Sequence, residues 1–324
     1  LCAGGRTQQA AQFRKEDAVG GTPAAAVGTT ALPEESPMTG LSSDEMRRAV
    51  RAALAEDIGS GDVTTLATVP EEATVTAMMV AREPLVVAGL ELAETAFLEL
   101  CPKANIQRAA SDGERVAARG TLLKIIQAPA RPVLSAERVA LNFVQRLSGV
   151  ATLTAQYVEA VATTRARILD TRKTTPGWRR LEKYAVECGG GLNHRFGLFD
   201  RILIKDNHLA ALRHEAPNAI AAAVRRARAL YPRLELEVEA DTLEQVEQAL
   251  RAGADVILLD NMAVEELRAA VLLVKGRAKT EASGGVNLST VRAIAETGVD
   301  FISAGALTHS ARAMDIGLDF AAEL

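Results

Sequence analysis

The chain has 324 residues, of which 48% are apolar and 24% charged, and a formal net charge of −4. That length buries one large or two ordinary domains, and the make-up is ordinary for a soluble globular enzyme. A pI near 5.8 argues against nucleic acid or an anionic membrane as the main partner, because both favour basic surfaces. No uninterrupted apolar run approaches the roughly 18–20 residues of a membrane span. Cys2, Cys101 and Cys188 form no CxxC pair, so neither a disulfide framework nor a zinc site is indicated, and a reducing cytoplasm fits.

Residues 1–40 are rich in Ala, Gly, Thr, Pro and Gln without periodicity and read as a disordered extension. The chain starts at Leu1, so its true start is expected to be missing or processed. Arg6, Arg14 and Lys15 precede any acid, as in a transit peptide, but Glu16, Asp17, Glu34 and Glu35 weaken that reading. From Leu41 an amphipathic helix is predicted, with a Ser/Asp start and apolar Met46, Val50, Ala53 and Leu54. Residues 75–81, 84–89, 105–110 and 121–129 read as strands, with a helix in GLELAETAFLELC and a turn at Ser111-Asp112-Gly113. Strands with one or two packed helices make an α+β unit. The segment 135–164 has helical spacing at Val139, Phe143, Val144 and Leu147, and Ser148-Gly149 suggests a kink or boundary.

After Thr164 the rhythm changes. Short apolar runs ending at Asp170, Lys205, Glu239, Asp260, Ser283 and Gly305 alternate with helical patterns, and the last four ends recur every 21–23 residues. Each interval leaves room for the helical crossover that parallel strands need. Repeated βα units predict an α/β barrel or a doubly wound sheet; about six strands suggest an incomplete or open barrel.

Both architectures place ligands at the C-terminal ends of the strands. Arg172, Lys173, Lys205, Glu239, Asp260, Ser283, Gly284, Gly285 and Gly305 are thereby expected on one face. The stretch 168–208 holds eight Lys/Arg against five acids in a net-negative chain, which points to a small polyanionic ligand. SGGVN (283–287) before a predicted helix, with SAGALTH (303–309) beside it, reads as a phosphate cradle. Glu239 and Asp260 could face Mg²⁺ held mainly by substrate phosphates and water, hydrogen-bond ribose hydroxyls, or simply meet solvent. His194 and Arg195 follow Gly189-Gly190-Gly191, which is expected to end a helix. Arg179, Arg180 and Lys183 are expected on a solvated surface, and Trp178 in packing. The four histidines lack ligand spacing for a metal.

The string DTRKTTPGWRRLEKYAVECGGGLNHRFGLFDRILIKDNH (170–208) resembles the signature of the quinolinate phosphoribosyltransferases. So do EDIGSGDVTT (56–65), AERVALNF (136–143), LEVEADTLEQ (236–245), ILLDNM (257–262), EASGGVN (281–287) and SAGALTHSARAMD (303–315). The resemblance covers residues 41–324; Met262 stands where an aromatic often follows the Asn. It implies an α/β sandwich domain over 41–148, to which 310–324 return, and an open barrel of about seven strands over 149–309, of the type II phosphoribosyltransferase kind. It implies a homodimer or higher homo-oligomer in which Arg138 reaches the neighbouring subunit's site. Arg172, His194, Arg195 and Lys205 would surround quinolinate, with Lys173 between quinolinate and phosphoribosyl pyrophosphate (PRPP). Glu239 and Asp260 would face the ribose and Mg–pyrophosphate, and Ser283, Gly284, Gly285, Gly305 and His309 the 5′-phosphate.

The implied reaction is phosphoribosyl transfer to quinolinate with loss of CO₂, in which Lys173, Glu239 and Asp260 act catalytically and no organic cofactor is needed. The rivals are a non-carboxylating phosphoribosyltransferase acting on nicotinate or a related heterocycle, an aldolase with Lys205 as Schiff-base nucleophile, and a non-catalytic phosphometabolite sensor.

Overall fold

The computed structural model describes residues 40–321; the expectations for the first 39 residues lie outside them. Helix α1 (Ser43–Ile58) opens with a capping box: the Ser42 hydroxyl accepts from Glu45 N, and the Glu45 carboxylate accepts from Ser42 N at 2.9 Å. Its Met46, Val50 and Leu54, four residues apart, form the buried stripe. Asp62 caps α2 (Val63–Thr68). There follow β1 (Thr74–Ala81), β2 (Leu85–Val86), α3 (Leu90–Leu100), β3 (Asn105–Arg108), β4 (Arg115–Val116) and β5 (Thr121–Pro129). β5 pairs antiparallel with both β1 and β3, while β2 and β4 form a separate ribbon. The run 84–89, expected as a whole strand, is extended only at Leu85 and Val86. Its end turns into α3, where Asp112 takes the amides of Gly89 and Leu90 at 2.9 and 3.1 Å.

Helix α4 (Ala130–Val161) begins five residues earlier than the sequence pattern suggests and carries Pro132 in its first turn, where the missing amide leaves no bond unmade. It runs unbroken through Ser148-Gly149. That pair is a contact rather than a kink: the Ser148 hydroxyl accepts from Ala88 N at 3.0 Å, and a Cβ on Gly149 would stand 1.9 Å from the Arg312 carbonyl oxygen. α4 therefore packs on α3 and β2 along one side and on the later elements along the other.

Those later elements are β6 (Arg167–Leu169), α5 (Arg179–Cys188), β7 (Ile202–Ile204), α6 (Asp206–Ala211), α7 (Ala219–Leu230), β8 (Leu236–Ala240) and α8 (Leu243–Ala252). After them come β9 (Val256–Asp260), α9 (Val264–Val274), β10 (Lys279–Ser283), α10 (Val291–Ala295), β11 (Phe301–Ser303), α11 (Ala306–His309) and β12 (Ile316–Phe320). Six strands make one parallel sheet in the order β6-β11-β10-β9-β8-β7. The two edge strands, β6 and β7, are consecutive in the chain, so the barrel is open between them and residues 170–201 occupy the connection. The resemblance implied about seven strands; six form among the described residues, plus a single bridge between Leu169 and Leu192. A seventh fails because the following amides go to side chains. His194 N donates to Asp170 at 2.8 Å, Arg195 N to the His194 ring at 2.7 Å, and Phe196 N and Gly197 N to Asp200.

β12 returns to pair antiparallel with β1, giving the first sheet the order β12-β1-β5-β3. Glu83 anchors the returning segment by accepting from Arg312 and from Asp315 N. No helix among the described residues is long and apolar enough to cross a membrane.

A Gly149→Ala substitution drives a methyl group into backbone at the α4 crossing. The expected loss of stability is about 3 kcal/mol or more, measured by urea unfolding; an unchanged midpoint would show that the crossing is loose.

Candidate active site

Strand alternation builds the floor of the site. Side chains two residues apart share a face, so Glu237 and Glu239 of β8 point the same way, as do Leu258 and Asp260 of β9 and Glu281 and Ser283 of β10. The register sets Glu239 beside Leu258, Leu258 beside Glu281, and Asp260 beside Ser283. Deep positions in this row are fully buried (Glu237, Glu281), while the strand-end groups Glu239, Asp260 and Ser283 are half-buried.

Above the deep pair lies a group of cations. His194 Nε2 is 3.0 Å from Glu237 Oε2 and 3.6 Å from Glu281 Oε1, close enough for ion pairing but not aligned as a hydrogen bond. Arg201 Nη1 approaches Glu237 at 3.8 Å and its other terminal nitrogen pairs with Glu235. Arg195 is buried; burial first, then the positive charge of Arg172, push its pKa down, with Glu237 and Asp200 opposing. His194, Glu237 and Glu281 offer ligand atoms within 4.8 Å of one another, the sole such group among the described residues. A metal ion there would add positive charge beneath mutually repelling arginines. A proton suits the pair better: burial, then the adjacent Glu237, push the Glu281 carboxyl well above its ordinary range.

A second group stands at the mouth. Lys205 Nζ donates to Glu239 Oε2 at 2.5 Å, and Asp206 N lies 3.5 Å from the other Glu239 oxygen. This pairing occupies the amine that an aldolase would need free as a nucleophile. Asp260 accepts from Asn261 Nδ2 at 2.7 Å. Burial and then Glu239 push its carboxyl up, while Lys205 and Lys173 pull it down, so these four charges share one space. Lys173 and His309 are both exposed and flank Gly305, where a Cβ would sit 3.0 Å from Lys173 Cδ and 3.1 Å from His309 Nε2. At Gly284 (φ 90°) a Cβ would meet Asn261 Oδ1 at 2.1 Å, so β9 and β10 end in a close backbone crossing that excludes a side chain. The helix expected behind SGGVN is short: α10 starts at Val291, and the Ser289 and Thr290 amides are taken by the Asn287 side chain.

Helix α5 departs most from the sequence reading. Lys183, expected on the surface, is fully buried: Nζ donates to Asp170 Oδ1 at 2.6 Å and to the His194 carbonyl at 2.9 Å. Arg179 donates to the Phe196 carbonyl at 3.0 Å and to the Thr174 hydroxyl at 3.0 Å, and its guanidinium lies over the Phe196 ring. Arg180 pairs with Glu45 at 3.1 Å. These residues look surface-bound in sequence because a charged helix face is usually solvated; here it covers the open edge of the barrel. Trp178 is in packing, stacked on Phe143 with ring centroids 5.1 Å apart.

The structure thus assembles His194, Arg195 and Arg172 in one group and Lys173, Lys205, Glu239, Asp260, Gly305 and His309 in another, with Ser283 and Gly284 at the adjoining strand end and Gly285 exposed beyond them. Arg138 is exposed on α4, and no hydrogen bond or ion pair of either group reaches it. Sequence reasoning passed over Glu237, Glu281, Arg201, Asp170, Glu182 and Asn261. Period-two alternation from Glu239 and Ser283 marks Glu237 and Glu281; nothing local marks Glu182.

An open parallel barrel with cations, carboxylates and glycine turns gathered at its strand ends is the architecture of an enzyme that handles phosphorylated, multiply anionic substrates. Residues 62–148 match the family model of the quinolinate phosphoribosyl transferase N-terminal domain, and 150–319 that of the C-terminal domain. The chain is 46% identical over 282 residues to the nicotinate-nucleotide pyrophosphorylase [carboxylating] of Mycobacterium leprae, covering 85% of this chain and 97% of that one. It is 43% identical over 265 residues to the probable nicotinate-nucleotide pyrophosphorylase [carboxylating] of Bacillus subtilis, covering 82% and 89%. The solved nicotinate-nucleotide pyrophosphorylase of Francisella tularensis superposes with a TM-score of 0.81 at 39% identity, covering 87% of this chain and 98% of that one. The chain belongs to the quinolinate phosphoribosyltransferase family.

Removing one partner of the buried pair strands the other charge. Lys183→Met is expected to destabilise the protein by about 3–5 kcal/mol at neutral pH. Burial pushes the Asp170 carboxyl up to about 6, with Lys183 opposing, against 3.8 in its ordinary state. A carboxyl raised on folding burdens the folded state above its folded pKa and ceases to do so below its unfolded one. Without Lys183 to hold it down, the Asp170 carboxyl of the variant rises above the wild-type value of about 6. The deficit should therefore shrink as pH falls from alkaline values to about 6 and level off below it, read by urea unfolding against wild type. A deficit that stayed constant with pH would mean Asp170 is not the stranded charge.

Proposed function

We infer that the chain transfers phosphoribosyl from PRPP to quinolinate with decarboxylation, yielding nicotinate mononucleotide, pyrophosphate and CO₂, a step of NAD biosynthesis. One observation carries this reading beyond family membership. Two separate cation groups, one deep and one at the mouth, lie at the same strand ends, and a reaction between two polyanions needs two such groups. A single-carboxylate substrate such as nicotinate needs fewer cations, and that alternative is not favoured.

His194, Arg172, Arg195 and Lys205 receive the two carboxylates of quinolinate. Arg offers a planar donor fork that matches a carboxylate, whereas Lys acts as a point charge. Lys173, beside Gly305 and His309, lies between this diacid and the phosphates held by Ser283, Gly284, Gly285, Gly305 and His309. Glu239 and Asp260 would stand near a Mg²⁺ held mainly by the phosphates of PRPP and by water, which would supply positive charge against the pyrophosphate. The elevated Asp260 carboxyl beside Glu239 is the kind of excess negative potential such a cation relieves. As the anomeric carbon loses pyrophosphate, Glu239 and Asp260 offset the positive charge that develops there and Lys173 the negative charge that departs. The pyridine nitrogen forms the new bond to that carbon. The resulting cationic ring accepts the electron pair of the adjacent C–carboxylate bond, CO₂ leaves, and a proton takes its place. No organic cofactor is required, because the ring itself is the electron sink.

The same reading includes a homodimer or larger homo-oligomer with shared sites in a reducing cytoplasm. It is supported by the free guanidinium face of Arg138, by exposed Leu198 and Phe199 beside Arg195, and by unpaired Cys101 and Cys188.

Incubation with quinolinate, PRPP and Mg²⁺ should release CO₂ and nucleotide in equal amounts; nucleotide retaining the labelled carboxyl carbon would overturn the reading. Arg195→Lys keeps the charge and loses the fork, so KM for quinolinate should rise about tenfold or more, measured by steady-state kinetics. Inactive Arg138→Ala and Lys173→Ala chains, mixed and allowed to exchange subunits, should regain activity; no recovery, with exchange shown by mass, would place Arg138 outside a shared site.

A further inference from the structure

Arg172 and Lys173 stand on one loop and Gly305 and His309 on another, and one guanidinium joins those loops. Arg146 on α4 donates through Nη1 to the Ala311 carbonyl at 2.5 Å. Its Nη2 donates to the Thr308 carbonyl and, at 2.7 Å, to Glu182 Oε1. Glu182, on α5 and fully buried, accepts from Thr175 N at 3.0 Å and from the Thr175 hydroxyl at 2.8 Å. A second tie runs the other way: the Thr308 hydroxyl donates to the Lys173 carbonyl at 2.8 Å. The segment 305–311 is thus bound to 173–175 through Arg146–Glu182 and through Thr308, with Lys173 passing against Gly305 between the two ties.

We propose that Arg146 and Glu182 are positioning residues that set the spacing between the phosphate-binding loop 305–309 and the loop 172–175 carrying Arg172 and Lys173, so that both substrates are held in reacting distance. Neither side chain needs to touch a substrate. The planar guanidinium makes three bonds from two terminal nitrogens, which a lysine ammonium, a single point of charge, cannot reproduce. The carboxylate bridges Arg146 and Thr175, which a neutral amide reproduces only in part. Because the loops meet through this pair, loosening it affects binding of both substrates rather than one.

This inference rests on the transferase reading above, and wild-type turnover in the same assay separates the two: if wild type releases no CO₂ and nucleotide, the reading fails and the inference with it. Given turnover, kcat and both KM values are measured for Arg146→Lys, Glu182→Gln and their double variant, well below each variant's Tm. The expected result is a rise of about tenfold in KM for PRPP and a parallel rise for quinolinate, with the double variant close to the worse single one because the two act as one unit. Lowered Tm with both KM values unchanged would reduce the pair to a structural role and overturn the proposal. A rise in one KM alone, or additive effects, would also overturn it. Should the Arg146 variants not fold, Glu182→Gln alone carries the test: it keeps the size of the side chain and removes the charge that holds Arg146 and Thr175, and unchanged KM values for both substrates would sink the proposal.

Discussion

Crowding positive charge into one end of a parallel sheet is the constraint on which this structure turns. Two like charges about 4 Å apart repel by about 4 kcal/mol at an effective dielectric constant near 20, and the site holds Arg172, Arg195 and Arg201 together, with His194 beside them, before any substrate arrives. Acids stand beside His194, Arg195 and Arg201, whereas the Arg172 Nε is buried without a hydrogen-bond partner among the described residues. Glu237 and Glu281 lie beneath His194, and Glu237 and Asp200 face Arg195. Asp200 also takes two amides of the loop 196–197. Charge is balanced enough to fold, with Arg172 left facing no acid among the described residues.

That balance needs rigid support, and the support comes from helices rather than strands. β6 and β7 end the sheet on either side of a gap, and α5 fills it with charged residues turned inward. Lys183 holds Asp170 and the His194 carbonyl, Glu182 holds Thr175, and Arg179 holds Phe196 and Thr174. α4 lies behind, its Ser148-Gly149 pair small enough to admit Ala88 on one side and the Arg312 backbone on the other. A buried ion pair such as Lys183–Asp170 is poor evidence for stability, since desolvation opposes its attraction. Its value here is geometric, because Lys183 and Asp170 fix the His194 carbonyl and amide next to Arg195.

Much of the site was legible before folding was considered. Parallel strands place function at their C-terminal ends, so a polar or charged residue closing each apolar run marked Lys205, Glu239, Asp260 and Ser283, and all of them converge. Alternation extends the same logic inward to Glu237 and Glu281, although an acid inside a strand is easily set aside as a solvated position. The failures have a different cause. Arg179, Arg180 and Lys183 sit on a helix of charged composition, and amphipathic spacing tells which residues share a face but not what covers that face. Of the kink or boundary suggested at Ser148-Gly149, the kink does not form, because a backbone crossing accounts for the glycine, while the two family-domain matches do meet there. The segment after the triple glycine gained one bridge instead of a strand, because Asp170, His194 and Asp200 claimed its amides.

By itself, then, the sequence determined the order of elements, the alternation of the barrel strands and which polar and charged residues stand at their ends, since these depend on local period and chain direction. Only the tertiary structure decided which charges are buried as counter-ions, that α5 lies in the connection between the two edge strands, and that Arg146, 162 residues before Thr308 in the chain, meets the loop 305–311. Those outcomes depend on contacts between distant segments, and no periodicity within a segment records its neighbour.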